Sequence, residues 1–69
     1  MANHTSPIGP QQVSGRYFCG YWQQSYEVLA IAGAGTSNWS ITVRWEDGTR
    51  TAHCTPWDSK RDRVIDQPA

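Results

Sequence analysis

Residues 39–54 read Trp39-Ser40-Ile41-Thr42-Val43-Arg44-Trp45-Glu46-Asp47-Gly48-Thr49-Arg50-Thr51-Ala52-His53-Cys54. Trp39, Ile41, Val43 and Trp45 alternate with Ser40, Thr42, Arg44 and Glu46, the period of two that marks a half-buried strand. Asp47-Gly48 follows, a strong hairpin signal because both central residues of a type I′ turn need positive φ. Thr49 to Cys54 then predicts the returning strand. A two-residue loop fixes the register. It sets Glu46 opposite Thr49, Trp45 opposite Arg50, Val43 opposite Ala52 and Ile41 opposite Cys54. The expected inner face is Ile41, Val43, Trp45, Arg50, Ala52 and Cys54, and the outer face is Thr42, Arg44, Thr51 and His53. Arg50 is expected to lay its stem on Trp45 and keep its guanidinium in water.

Working outward from the hairpin, Tyr26 to Ala32 (YEVLAIA) predicts a strand that is apolar on both faces, with Leu29 and Ile31 expected outside the core. Gly33 to Asn38 is a glycine-containing loop. Arg16 to Trp22 (RYFCGYW) predicts the first strand, with Gly20 as a bulge or kink and Gln23-Gln24-Ser25 as the connection. Beyond the hairpin, Thr55-Pro56-Trp57-Asp58 has the grammar of a capped turn: a capping hydroxyl, a proline at the first position and an acid three residues on. This predicts a short 3₁₀ turn that tucks Trp57 against the sheet before a last strand at Arg63-Val64-Ile65. The expectation is therefore an all-β, five-stranded small barrel over 13–66. Residues 1–12 are expected to be a disordered N-terminal tail and 67–69 a C-terminal tail.

Size makes the core the main constraint. A chain of 69 residues is one domain, and after the tails about fifty residues remain, near the lower limit for folding without staples. Four Trp, three Tyr and one Phe compensate, since each ring can bury ~150–250 Å² at ~25 cal/mol per Å². Six basic and six acidic residues give a formal net charge of zero, so charge supplies no general argument for nucleic-acid binding, which rests on phosphate neutralisation. No apolar run approaches the ~20 residues of a bilayer span. The stretch Met1-Ala2-Asn3-His4-Thr5-Ser6-Pro7 lacks the basic and apolar regions of a secretion signal. The expected location is the cytoplasm, with no membrane partner.

The stretch Ile41-Thr42-Val43-Arg44-Trp45-Glu46-Asp47-Gly48 resembles the V-x-[WFY]-x-D-G strand and turn of SH3-like small barrels, the Tudor and chromo-barrel domains among them. A similar V-R-W-x-D-G stretch occurs in a family of small actinobacterial proteins of unknown function. The resemblance covers Val13 to Ile65 and implies an SH3-like barrel. Tudor-like domains hold a methylated Lys or Arg in a cage of aromatic faces. Trp22, Tyr26 and Trp45 fall near the cage-bearing places, and Trp57 closes the group. The turn after Trp45 lacks the aromatic and the Asn of such cages. The same rings equally suit the core of a domain short of aliphatics.

The remaining chemistry-bearing residues favour binding over catalysis. His53 and Cys54 are strand neighbours, whose side chains point to opposite faces, which argues against a shared metal site or a nucleophile–base pair. Cys19 and His4 add no metal-ligand spacing. Cys19 and Cys54 could pair only if the first and fourth strands were adjacent. Glu46, Asp47, Asp58, Asp62 and Asp66 lie in turns or a charged tail, where solvated acids are normal. Gly33 to Gly35 precedes a strand, which does not suit a phosphate loop. Ser59-Lys60-Arg61-Asp62-Arg63 reads as a self-neutralising segment or as a phosphate-contacting edge.

The sequence thus predicts a non-enzymatic module without cofactor or metal. It recognises a peptide or protein through an aromatic edge of Trp22, Tyr26, Trp45 and Trp57, with Arg50 and Asp47 at the rim. The alternatives are a nucleic-acid-associated protein using Arg44, Lys60, Arg61 and Arg63, or a self-assembling structural protein. The expected state is a monomer or weak homodimer.

Overall fold

A computed structural model describes residues 8–53 and 56–68. Five antiparallel strands form one sheet: β1 (Arg16–Cys19), β2 (Gln24–Ala32), β3 (Ser40–Trp45), β4 (Arg50–His53) and β5 (Arg63–Asp66). Their order is β4-β3-β2-β1-β5. The fold is all-β as the sequence predicts, with a strand in each expected place. The sheet is open: β4 and β5 are its edges, and no ladder joins them among the described residues. Thr55, the expected cap of the 3₁₀ turn, lies outside the described residues. The backbone bonds that close a turn in this region run from Arg61 and Asp62 to the Asp58 carbonyl.

The register of the β3–β4 hairpin differs from expectation by one residue. Arg44 stands opposite Arg50, Val43 opposite Thr51, Thr42 opposite Ala52 and Ile41 opposite His53. The physical reason is the loop. Trp45 N–H donates to the Thr49 carbonyl and Gly48 N–H to the Trp45 carbonyl. Of the loop residues Gly48 alone has a positive φ, 89°. This is a three-residue loop with glycine in the left-handed position, which adds one residue to the turn and reverses the facing of β4. Thr51 therefore shares a face with Val43 and Trp45. Arg50 lies on the face away from Trp45 and cannot stack on it. Cys54 lies outside the described residues.

One inner face carries the core. Tyr17, Cys19, Tyr26, Val28, Ile41 and Val43 are buried, and Ile8, Ile31, Trp39, Trp45 and Trp57 pack against them. Ile31, expected outside, joins the core because β2 bulges between Val28 and Ala30. The bulge restores the alternation, so that Ile31 faces Ile41. Tyr17, Tyr26 and Trp45 stand opposite one another on three successive strands. Ring centroids are 5.8 Å apart for Tyr17–Tyr26 and 5.2 Å for Tyr26–Trp45, and Trp57 meets the Tyr17 ring edge-on at 5.8 Å. These are favourable aromatic separations.

The segment just before β1 closes one side of this row. The sequence reading places residues 8–12 in the tail, yet Gln11 is 4% exposed and Ile8 packs on the core. Tyr26 Oη donates to Gln11 Oε1 at 2.6 Å, and Gln11 Nε2 donates to the Ile8 carbonyl. Tyr17 Oη accepts from Gln12 N–H at 2.7 Å and donates to the Pro10 carbonyl at 3.2 Å. The buried phenols thus find their partners in this segment, as buried polar groups must.

Tyr26→Phe leaves the Gln11 carbonyl oxygen buried without that donor. It should lower stability by about 1–3 kcal/mol, seen as a lower urea midpoint at unchanged slope. Gln12→Ala, which keeps the backbone donor, should stay within about 0.5 kcal/mol of the parent.

Candidate functional site

The four aromatic residues expected to form one edge are divided by the fold. Tyr26 is 5% exposed, Trp45 is half-buried, and its indole Nε1–H donates to Thr51 Oγ1 at 2.8 Å. Tyr26, Trp45 and Trp57 belong to the aromatic row of the core. Burial raises the Tyr26 pKa above the usual tyrosine range, with the Asp62 charge adding to the effect. Burial also raises that of Tyr17, against the Gln12 N–H, which lowers it.

Trp22 lies in the turn between β1 and β2. Its ring contact is with Tyr21, edge-on with centroids 5.0 Å apart. As residues, Trp22 and Tyr21 are 59% and 67% exposed. The first strand ends earlier than expected, at Cys19, and Gly20–Gln23 form the turn. Gln23 adopts φ 59°, its N–H donates to the Cys19 carbonyl at 2.8 Å, and its Nε2 donates to the Gly20 carbonyl at 2.9 Å. A side chain on Gly20 would run into the backbone and Cβ of Arg61, so the turn rests directly on the segment before β5.

That segment is organised by two carboxylates. Asp62 accepts from Gly20 N–H through Oδ1 and from Asp58 N–H through Oδ2, both at 2.9 Å. Asp58 Oδ1 accepts from Lys60 N–H, and Asp58 Oδ2 lies 3.7 Å from Arg61 Nε. Asp62 thereby clips the tyrosine–tryptophan turn to the 58–62 turn, across 42 residues of sequence. Its charge is directed at backbone donors, so the segment is less self-neutralising than its composition suggests. Lys60, Arg61 and Arg63 line an open cleft of about 460 Å³ with Phe18, Gly20 and Gln23, and none of these lining residues is a carboxylate.

The other cations lie elsewhere. By register, Arg50, Arg44, Glu27, Arg16 and Asp66 form one row across all five strands on the outer face. Arg44 pairs with Glu27 and Arg16 with Asp66. Arg44 is thus engaged in a mixed-charge row and does not line the Lys60–Arg63 cleft. Among the described residues Arg50, Lys60 and Arg63 form no ion pair. At the hairpin tip, Glu46 accepts from Ser25 N–H and Oγ. Asp47 accepts from Thr49 N–H, which holds its carboxyl below the usual range. Asp47 serves the loop.

Cys19 is a buried free thiol, and His4 and Cys54 lie outside the described residues. Among the described residues no group of His, Cys, Asp and Glu has a metal-binding arrangement, and no helix is long and apolar enough to cross a membrane. The sequence reading missed Tyr21 as a surface residue. Its neighbour Gly20 before two aromatics and a glutamine was the available signal. No family model, curated protein or solved structure matches the chain.

Two outcomes follow. Trp22→Phe should remove most of the acrylamide-accessible tryptophan fluorescence while stability changes by no more than about 0.5 kcal/mol. The unfolded chain releases the Tyr17 and Tyr26 protons before the folded one does. Their contribution is therefore intact below the ordinary tyrosine pKa of 10.0 and is lost as pH rises above it. Tyr26→Phe should flatten that alkaline loss in pH-dependent urea titrations.

Proposed function

We propose that this chain is a non-enzymatic binding module that recognises a peptide or protein partner through an aromatic edge, and that the edge is the Tyr21–Trp22 turn. One observation carries the reading: two large aromatic residues stand more than half exposed on a turn fixed by backbone and side-chain hydrogen bonds. With six buried apolar residues among those described, aromatic residues on the surface are informative in a way that scattered exposed aliphatics are not. Rigid presentation lowers the ordering cost of binding, and Tyr and Trp are the residues that dominate contact energies at interfaces.

The finer fold reading is an SH3-like small barrel, opened between β4 and β5. A meander from β1 to β4, with β5 returning to β1, supports it. The expected Tudor-like cage is revised in this proposal: Tyr26, Trp45 and Trp57 support the fold, and Trp22 acts with Tyr21. The cytoplasm, where thiols stay reduced, is the proposed location and suits the free Cys19. A second reading, a nucleic-acid-associated protein, draws on the shared cleft of Lys60, Arg61 and Arg63.

Screening on a peptide array tests the primary reading. Trp22→Ala and Tyr21→Ala should remain folded and weaken the parent's best array hits by more than about tenfold. Unchanged binding by both folded variants would contradict it.

A further inference from the structure

We infer that the cleft between the β1–β2 turn and residues 60–63 is an anion site, taking a carboxylate or phosphoryl side chain of an extended peptide. The inference rests on the peptide-binding reading and names the chemistry of its partner. Three cations, the Gln23 amide and the Phe18 ring line a volume of about 460 Å³, within the ~300–1,000 Å³ range of small-ligand clefts. The acids nearest in sequence do not line it. Asp62 directs both oxygens at the N–H groups of Gly20 and Asp58. Asp58 accepts from Lys60 N–H and lies 3.7 Å from Arg61 Nε, so Lys60 and Arg63 are the cleft cations without an ion pair among the described residues. The Asp62 clip also fixes the two lining segments relative to each other, because it bonds Gly20 of the turn and Gly20 packs directly on Arg61. Phe18 stands opposite Arg63 on adjacent strands, so the β5 wall pairs a guanidinium with an aromatic surface.

The same turn carries Tyr21 and Trp22 between Gly20 and Gln23. An apolar contact and an anion contact are therefore available to neighbouring residues of one bound segment. The charge is local. Beyond the cleft, Arg16 and Arg44 are matched by Asp66 and Glu27, Arg50 stands on β4 at the opposite edge of the sheet from β5, and the whole chain has a formal net charge of zero. A nucleic-acid backbone presents repeated charges and calls for a stripe of unmatched cations. A single anionic side chain calls for one cleft, which is what this surface offers.

The test is an amide chemical-shift titration of the full chain. The probes are short leucine-containing Gly/Ser peptides with phosphoserine, glutamate or serine at one central position, together with inorganic phosphate and a deoxythymidine oligonucleotide. The phosphoserine or glutamate peptide should shift the amides of Gly20, Gln23, Lys60 and Arg63, and the serine peptide should leave them in place. Whichever anionic peptide binds more tightly identifies the anion's source. Lys60→Ser and Arg63→Ser should each weaken that binding by roughly tenfold, the worth of one charge-assisted hydrogen bond, with unchanged urea midpoints. Equal binding of all three peptides, no shift in the cleft, or a stronger and steeply salt-dependent response to the oligonucleotide would overturn the proposal. Trp22→Ala separates it from the reading beneath it. If anionic peptides still bind the cleft at full strength in that variant, the anion site stands and the aromatic edge fails. If the serine peptide binds as well as the others and Trp22→Ala abolishes it, the edge stands and the anion site fails.

Discussion

The row of rings from Trp57 through Tyr17 and Tyr26 to Trp45 is the constraint on which the molecule depends. It runs perpendicular to the strands, so it exists only in the register that sets Tyr17, Tyr26 and Trp45 opposite one another. A slip of one residue would send one of the rings to the outer face. The cross-strand ring pairs therefore both stabilise the sheet and specify it. The row imposes a polar requirement as well. Two phenolic hydroxyls are carried into the interior, and residues 8–12 exist in folded form to receive them. The Gln11 side chain and the Gln12 and Pro10 backbone meet those hydroxyls. In a domain this small the covering segment is as much a part of the core as the strands are.

Strand identity was legible because alternation is a local property. Ile41, Val43 and Trp45 alternate with polar residues, and β3 turns that set inward. Strand register was less legible because Asp47-Gly48 serves two loop types. Glycine accepts a positive φ in either, and Thr51 and Ala52 are both small enough to face inward, so the β4 sequence did not choose between them. The hydrogen bond from the Trp45 indole to Thr51 belongs to the longer loop. The role of Ile8 and Gln11 was not legible at all. One aliphatic and one amide among polar neighbours carry no period, and their burial follows from hydroxyls that reach them from elsewhere in the chain.

The candidate site was half legible. Trp22, Lys60, Arg61 and Arg63 were singled out from the sequence, but in separate hypotheses. What joins them is Asp62, whose carboxylate ties Gly20 to the 58–62 turn. A long-range bond from an acid in a mixed-charge segment has no signature in composition. Conversely Tyr26, Trp45 and Trp57 were grouped with Trp22 because the resemblance to Tudor-like cages places such rings together. Alternation separates them, since rings at opposed inner positions of neighbouring strands pack on each other and are more buried than a ring in the turn. The division of labour is plain in physical terms. Rings on the inner face hold the sheet together, and the aromatic residues of the turn stand exposed.

Ring-to-ring nuclear Overhauser contacts test this division most directly. The account predicts contacts from the Tyr26 ring to both the Tyr17 and Trp45 rings, and from the Trp22 ring to Tyr21. Contacts joining Trp22 to Tyr26 or Trp45, with none between Tyr26 and Tyr17, would contradict it.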